Sequence, residues 1–233
     1  MPSPATYNPP RTPATVAVVL LSVCAAAALL SLAALVNQYG LLGDLAAGAS
    51  AVSDDAVDRS DRMVAAASFL ELATMLATAV AFIIWFHRVR VNAELFDPSG
   101  HRRGRGWAIG SWFTPFVALW FPRQIAGDIW QASITPDERG VRARESQALL
   151  SLWWAAFIGF NVLSRLGSKT GDTGADIESL RTGTALLIVS DAVELAAAVL
   201  AILVVRKLTA MQEQQYGTVM ARAYGMPPAG VLG

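Results

Sequence analysis

The 233-residue sequence is short of charge: only 15% of its residues are Asp, Glu, Lys or Arg, against about 25% in a soluble domain. It has one cysteine, Cys24, set in an apolar run, which excludes a disulfide framework and a thiolate metal cluster. No Asn-x-Ser/Thr acceptor occurs. Its only two histidines, His87 and His101, lie outside the long apolar runs. There is no G-x-S-x-G, no H-E-x-x-H and no Walker sequence. Gly104, Gly106 and Gly110 miss the dinucleotide fingerprint in spacing, and no strand precedes them. Basic and acidic residues are equal at 18 each, and this balance excludes a generally basic nucleic-acid binder. An enzyme acting within the bilayer would need a nucleophile–base pair or metal ligands at depth, and apolar runs without histidine offer neither. No enzymatic activity and no cofactor are expected.

What the chain does have is apolar length: 54% hydrophobic residues and a mean hydropathy of +0.44. Four runs stand out, at residues 14–36, 63–86, 148–164 and 184–205. A helix needs about 20 apolar residues to cross a ~30 Å hydrocarbon core, and these four read as transmembrane helices. The first is longer than the ~7–15-residue core of a signal peptide and only Arg11 precedes it. Val23 is too large for the lipoprotein-type cleavage that "LSVC" suggests, so an uncleaved span is expected. Residues 1–13 hold five prolines and read as a disordered Pro-rich cytoplasmic tail. Residues 37–62 read as an acidic external loop, 63–205 as the membrane core, 165–183 as a polar loop and 206–233 as a cytoplasmic tail. His87 and His101 read as solvated loop side chains; as a metal pair they lack further ligands.

One apolar run resists this scheme. Trp107 to Phe121 has 15 residues, with Pro115 inside it and Pro122 at its end. At ~1.5 Å per residue a helix of that length falls short of the core, and Pro115 removes a helical hydrogen bond. Trp107, Trp112, Trp120 and Trp130 suit the headgroup level. Positive charge decides between two topologies, because short cytoplasmic loops are enriched in Lys and Arg. If residues 107–122 re-enter or lie in the interface, the 18 Lys and Arg divide 13 inside and 5 outside, with both termini inside. If they span, the division is 9 and 9. The expected fold is therefore all-α: four transmembrane helices plus a re-entrant or interfacial Trp/Pro segment, in a bacterial cytoplasmic membrane. Residues 123–147, with Ile125 and Ile129 one turn apart, read as carrying a short interfacial amphipathic helix.

Two groups of residues could carry function. Glu71, Asp191 and Glu194 lie inside expected spans, where each carboxylate costs roughly 2.5–3.5 kcal/mol at mid-helix. Glu71 is the ninth residue of its run, Asp191 and Glu194 the eighth and eleventh of theirs, so a four-span topology sets them at similar depth. "SFLELA" at 68–73 and "VELA" at 193–196 hint at an internal repeat. The three acids read either as a proton or cation site of a small transporter or channel, or as packing polar groups hydrogen-bonded to Ser68, Thr74, Ser190 or Asn161. The second group is the basic, Trp/Pro-bearing face: Arg88, Asn92, Arg102, Arg103, Arg105, Trp112, Pro115, Trp120, Pro122, Arg123 and Trp130. Arginines beside a membrane attract anionic headgroups by about 1 kcal/mol each. Membrane lipids are thus the expected partners, with a protein partner or a second copy of the chain also open, and no nucleic acid.

The block from 85 to 133 also resembles a bacterial family of polytopic membrane proteins, common in actinobacteria, named only as domain of unknown function 4328. The resemblance rests on Arg88 and Asn92, then Gly106, Trp107, Gly110, Trp112 and Pro115, then Leu119, Trp120 and Pro122, then Trp130 to Ser133. The Trp153-Trp154 pair extends it, so that it covers about residues 63–205. Ala118 stands where the resemblance leads one to expect asparagine. It implies a multi-span membrane protein without an assigned activity. The function expected is a non-enzymatic, membrane-embedded structural or interaction module with an arginine-rich cytoplasmic face; the alternative is the transporter or channel.

Overall fold

The computed structural model describes residues 6–48, 52–137, 140–173 and 176–224. Among these the chain is helical and has no strand. Four helices are long and apolar enough to cross a membrane: α1 (Arg11–Ala46), α2 (Asp54–Phe96), α5 (Ala148–Thr173) and α6 (Ile177–Ala223). Between α2 and α5 lie α3 (Trp107–Gly110), a single 3₁₀ turn at Val117–Leu119, and α4 (Phe121–Ala132). The protein is an all-α integral membrane protein with four spanning helices.

These helices outrun the apolar stretches from which they were expected. α2 has 43 residues and α6 has 47, about 65–70 Å at 1.5 Å per residue. The loop expected at 37–62 is helix up to Ala46 and again from Asp54; that at 165–183 is helix up to Thr173 and again from Ile177. Local chemistry accounts for the starts. The Ser53 hydroxyl accepts from the Ala56 amide at 3.3 Å, and Asp54 and Asp55 sit in the first turn of α2, where acids suit the helix dipole. Asp176 accepts from the Ser179 amide at 2.9 Å and begins α6 in the same way. The tail expected at 206–233 continues α6 to Ala223, because buried positions recur at helical spacing through Val204, Val205, Leu208, Gln212 and Gln215.

The residues group into two units. Unit 1 comprises 1–18, 79–151 and 202–233. Its core holds Trp85, Phe86, Val89, Ile125, Ile129, Trp130, Leu150 and Leu208. A buried amide network crosses it: Asn92 Nδ2 donates to the Asn8 carbonyl at 2.8 Å and to Gln212 Oε1 at 3.2 Å. Gln212 Nε2 in turn donates to the Val89 carbonyl at 2.8 Å and to Ser133 Oγ at 3.3 Å. Residues 6–13 are therefore not a disordered tail. The Asn8 amide donates to Asn92 Oδ1, Tyr7 stacks on Tyr216 with ring centroids 3.8 Å apart, and Arg11 forms a two-pronged pair with Glu213 at 3.1 and 2.9 Å. Burial, with Glu213 and Tyr216 beside it, pushes the Tyr7 phenol up to about 12. Residues 1–5 of that expected tail lie outside the described residues.

Unit 2 comprises 19–78 and 152–201. Small residues line its interior: Ala27, Ala28, Ala34, Ala197, Ala198 and Ala201 are buried, letting α1 and α6 pack closely without driving polar groups apart. α5 and α6 come closer still. A Cβ on Gly183 would lie 2.7 Å from the Gly171 amide nitrogen and 2.9 Å from the Gly167 carbonyl oxygen. Thr78 on α2 donates to the Leu20 carbonyl of α1 at 3.0 Å.

Candidate functional site

The three carboxylates of unit 2 converge. One oxygen from each of Glu71, Asp191 and Glu194 lies within 4.8 Å of the others. Asp191 and Glu194 are three apart on α6 and share a face, and Glu71 faces them from α2. Asp191 and Glu194 are each only 6% exposed, and Glu71 is half-buried. From α1 the buried Cys24 thiol donates to Glu194 Oε1 at 3.5 Å, and the Ser31 hydroxyl neighbours Asp191. Sequence reasoning missed Cys24 and Ser31 as neighbours of this cluster.

The polar side chains expected to satisfy the acids serve backbone carbonyls instead. Ser190 Oγ donates to the Phe160 carbonyl at 3.1 Å, and Asn161 Nδ2 to the Phe157 carbonyl at 2.8 Å. Thr74 Oγ1 lies 3.0 Å from the carbonyls of Leu70 and Glu71, and Ser68 is exposed. Asp191 Oδ2 and Glu194 Oε2 are buried without a hydrogen-bond partner.

Unit 1 uses most arginines of the second expected group, and Arg90 beside them, in internal bonds. Arg90, 2% exposed on its side chain, donates to Glu94 Oε1 at 2.8 Å and to the Arg103 carbonyl at 2.6 Å. Arg105 pairs with the same Glu94. Arg102 grips Asp128 through its amide at 3.1 Å and its Nε at 2.9 Å, and Arg123 donates to Gln147 and Ser151. Arg103 lies over the Phe121 ring at 4.1 Å. Arg88 makes no ion pair among the described residues. Asn92, Pro122 and Trp130 belong to the interior and not to a free face: all three are buried, because Asn92 is the hub of the amide network and α4 turns its apolar side inward.

The segment from 107 to 122 is not one continuous helix. α3 ends at Gly110, and irregular turns lead to a tight turn in which the Val117 amide donates to the Pro115 carbonyl at 2.7 Å. Phe116 at its centre has φ 62° and ψ −51°, the rarer and strained hand of γ-turn, costing on the order of 1–3 kcal/mol. Trp112 anchors the segment inward, edge-on to Phe82 and Phe86 at 5.7 and 5.9 Å. Phe113 and Phe116 face outward, 72% and 78% exposed, with Leu119 and Trp120 beside them in the chain also exposed. Sequence reasoning listed Pro115 and Trp120 but missed Phe113 and Phe116.

His87 lies within α2, and His101 is not a solvated loop side chain: both its ring nitrogens are shut off from water. Burial first, and then the Arg90 guanidinium, hold its pKa below the ordinary 6.5, against smaller opposing effects of the Ala93 backbone, Asp128 and Glu94. A group whose folded pKa is depressed contributes stability that is present above its unfolded pKa and lost as pH falls through the folded value. Unit 1 is thus expected to loosen as pH drops below about 6.5. His101→Gln should flatten the acid limb of a pH–stability curve measured in detergent, and an unchanged limb would show that His101 is not responsible.

A family model described as a domain of unknown function, DUF4328, matches residues 48–210. The chain belongs to this family. The match takes in all three carboxylates and the whole Trp/Pro segment, while Cys24, Ser31 and the rest of α1 precede it. No match was found among curated proteins or among solved structures.

Proposed function

We propose that this family member is a non-enzymatic, membrane-embedded interaction module of the bacterial cytoplasmic membrane, with both termini on the cytoplasmic side. Unit 1 seats an aromatic ledge among anionic lipid headgroups. The observation that carries this reading is the outward set of Phe113, Phe116, Leu119 and Trp120, held on a short strained turn whose Trp112 is fixed inward. Large apolar side chains left exposed beside arginines suit a headgroup–acyl boundary, where aromatic rings and guanidinium groups are both stabilised. The internal ion pairs of Arg102 and Arg105 leave those side chains still partly exposed, so they serve the fold and stay within reach of a headgroup. The carboxyl cluster of unit 2 plays no part in this reading.

Site-directed spin labelling tests it. In a Cys24→Ala background, a nitroxide on Phe116→Cys in anionic vesicles should be relaxed by oxygen and shielded from a water-soluble nickel chelate. Ready access of the chelate would sink the proposal. A second cysteine introduced by Thr135→Cys should resist an impermeant maleimide added outside cells, and efficient labelling would reverse the proposed orientation.

A further inference from the structure

We propose that Glu71, Asp191 and Glu194 form an intramembrane binding site for a divalent metal cation. Three carboxylates within 4.8 Å cannot all hold their charge unless a counter-charge sits among them. Among the described residues none of the three forms an ion pair with a basic side chain. The nearest Lys or Arg before each acid along its helix is Arg62, nine positions before Glu71, and Arg181, ten before Asp191, about 14–15 Å away along a helix. After them come His87 on α2 and Arg206 on α6, further off still.

A cluster of acids alone would not make a site. The second observation is that Asp191 and Glu194, both more than nine-tenths buried, each keep one oxygen without a partner. Ser190, Asn161 and Thr74 are turned to helix carbonyls, and the Ser31 hydroxyl reaches Asp191 without satisfying its second oxygen. Orphaned buried carboxylate oxygens are costly, and a cation bound among them offsets that cost. The bond from the Cys24 thiol to Glu194 Oε1 holds that carboxylate in place, as partners of metal ligands commonly do.

Charge and ligand type narrow the ion. Three carboxylates and one divalent cation leave a single negative charge, which one retained proton cancels; a monovalent ion would need two retained protons for the same neutrality, so a dication draws more of the three oxygens into its own coordination. On binding, any carboxyl that becomes anionic releases its proton to water. All-oxygen donors suit manganese, calcium or magnesium over softer ions, and Mn²⁺ serves as the probe because it reports its own coordination.

The full chain, without an affinity tag and freed of metal by chelation, is titrated with Mn²⁺ in nanodiscs and followed by electron paramagnetic resonance. The proposal expects one tightly held Mn²⁺ per chain, displaced by Ca²⁺ or Mg²⁺, and a rise in the melting temperature on binding. Loss of outer partners alone costs 10–100-fold in metal affinity, so Glu194→Gln and Asp191→Asn should weaken binding by roughly 100-fold or more. Cys24→Ser, which keeps a donor to Glu194, should bind within about 10-fold of the original chain. Should either acid variant fail to fold, Glu71→Gln at the more open edge of the cluster decides in its place. Absence of stoichiometric Mn²⁺ in the unaltered chain, with Ca²⁺, Mg²⁺ and Zn²⁺ also unbound, would overturn the proposal in favour of carboxyls sharing protons. Binding unaffected by all three acid substitutions would overturn it equally.

Discussion

Glu94→Ala is expected to destabilise the protein by about 3–5 kcal/mol, the usual cost of stripping one partner from a buried ion pair. The reason lies in Arg90, whose side chain is almost wholly shut off from solvent and which relies on Glu94 for its counter-charge. Arg105, the second partner of Glu94, is partly exposed and can turn to water when the carboxylate goes; Arg90 cannot. The Arg103 carbonyl still accepts from Arg90, so a hydrogen bond survives while the charge stands uncompensated. Reversible unfolding in mixed detergent measures the loss. The double change Arg90→Met with Glu94→Ala should recover most of it, because an apolar chain of similar length has no charge to strand. By comparison the wide, exposed Lys207–Glu145 contact at 3.9 Å is of the kind worth about 0–1 kcal/mol. Recovery absent in the double variant would show that the Glu94 side chain matters for packing and not for charge.

The second large effect is expected at Gly183. An added methyl group there meets the backbone of α5, at the Gly171 nitrogen and the Gly167 carbonyl oxygen, and backbone cannot swing aside as a side chain does. Gly183→Ala must therefore push α5 and α6 apart, at a cost of about 1–3 kcal/mol. Gly217, also within α6, has nothing within 4 Å of its added Cβ. There the same substitution should stabilise by about 0.4–1 kcal/mol, since it lowers the freedom of the unfolded chain. Opposite signs at two glycines of one helix would be read in the same unfolding assay. A destabilisation at Gly217 equal to that at Gly183 would show that helix contact is not the cause.

Hydropathy showed where the four spans run because burial in lipid needs only apolar length. It could not show where the helices stop. Gln212 and Gln215 look like residues for water, yet they are buried, and Gln212 is satisfied by Val89, Asn92 and Ser133, groups far away in the chain. The arginines pose the same difficulty. Their number was enough to argue a sidedness, but their pairing with Glu94, Asp97 and Asp128 depends on turns that the sequence does not spell out. The carboxyl cluster was legible because a charge in an apolar run stands out and spacing on two helices suggested equal depth. Cys24 was not, since a thiol in such a run reads as a small hydrophobe. Phe113 and Phe116 were hidden for the opposite reason: in a run where most neighbours are apolar, composition does not tell inward from outward.

The contacts of Tyr7, Asn8 and Arg11 bear on how the molecule is made. Arg11 finds Glu213 at a separation of 202 residues, and Tyr7 finds its stacking partner at Tyr216. The ribosome delivers the chain at about 5–20 residues per second, so the opening residues wait on the order of ten seconds or more for the partners that secure them. All four hydrophobic helices must be synthesised before that clasp can close. The first described residues are therefore among the last to be locked, and the clasp marks completed assembly.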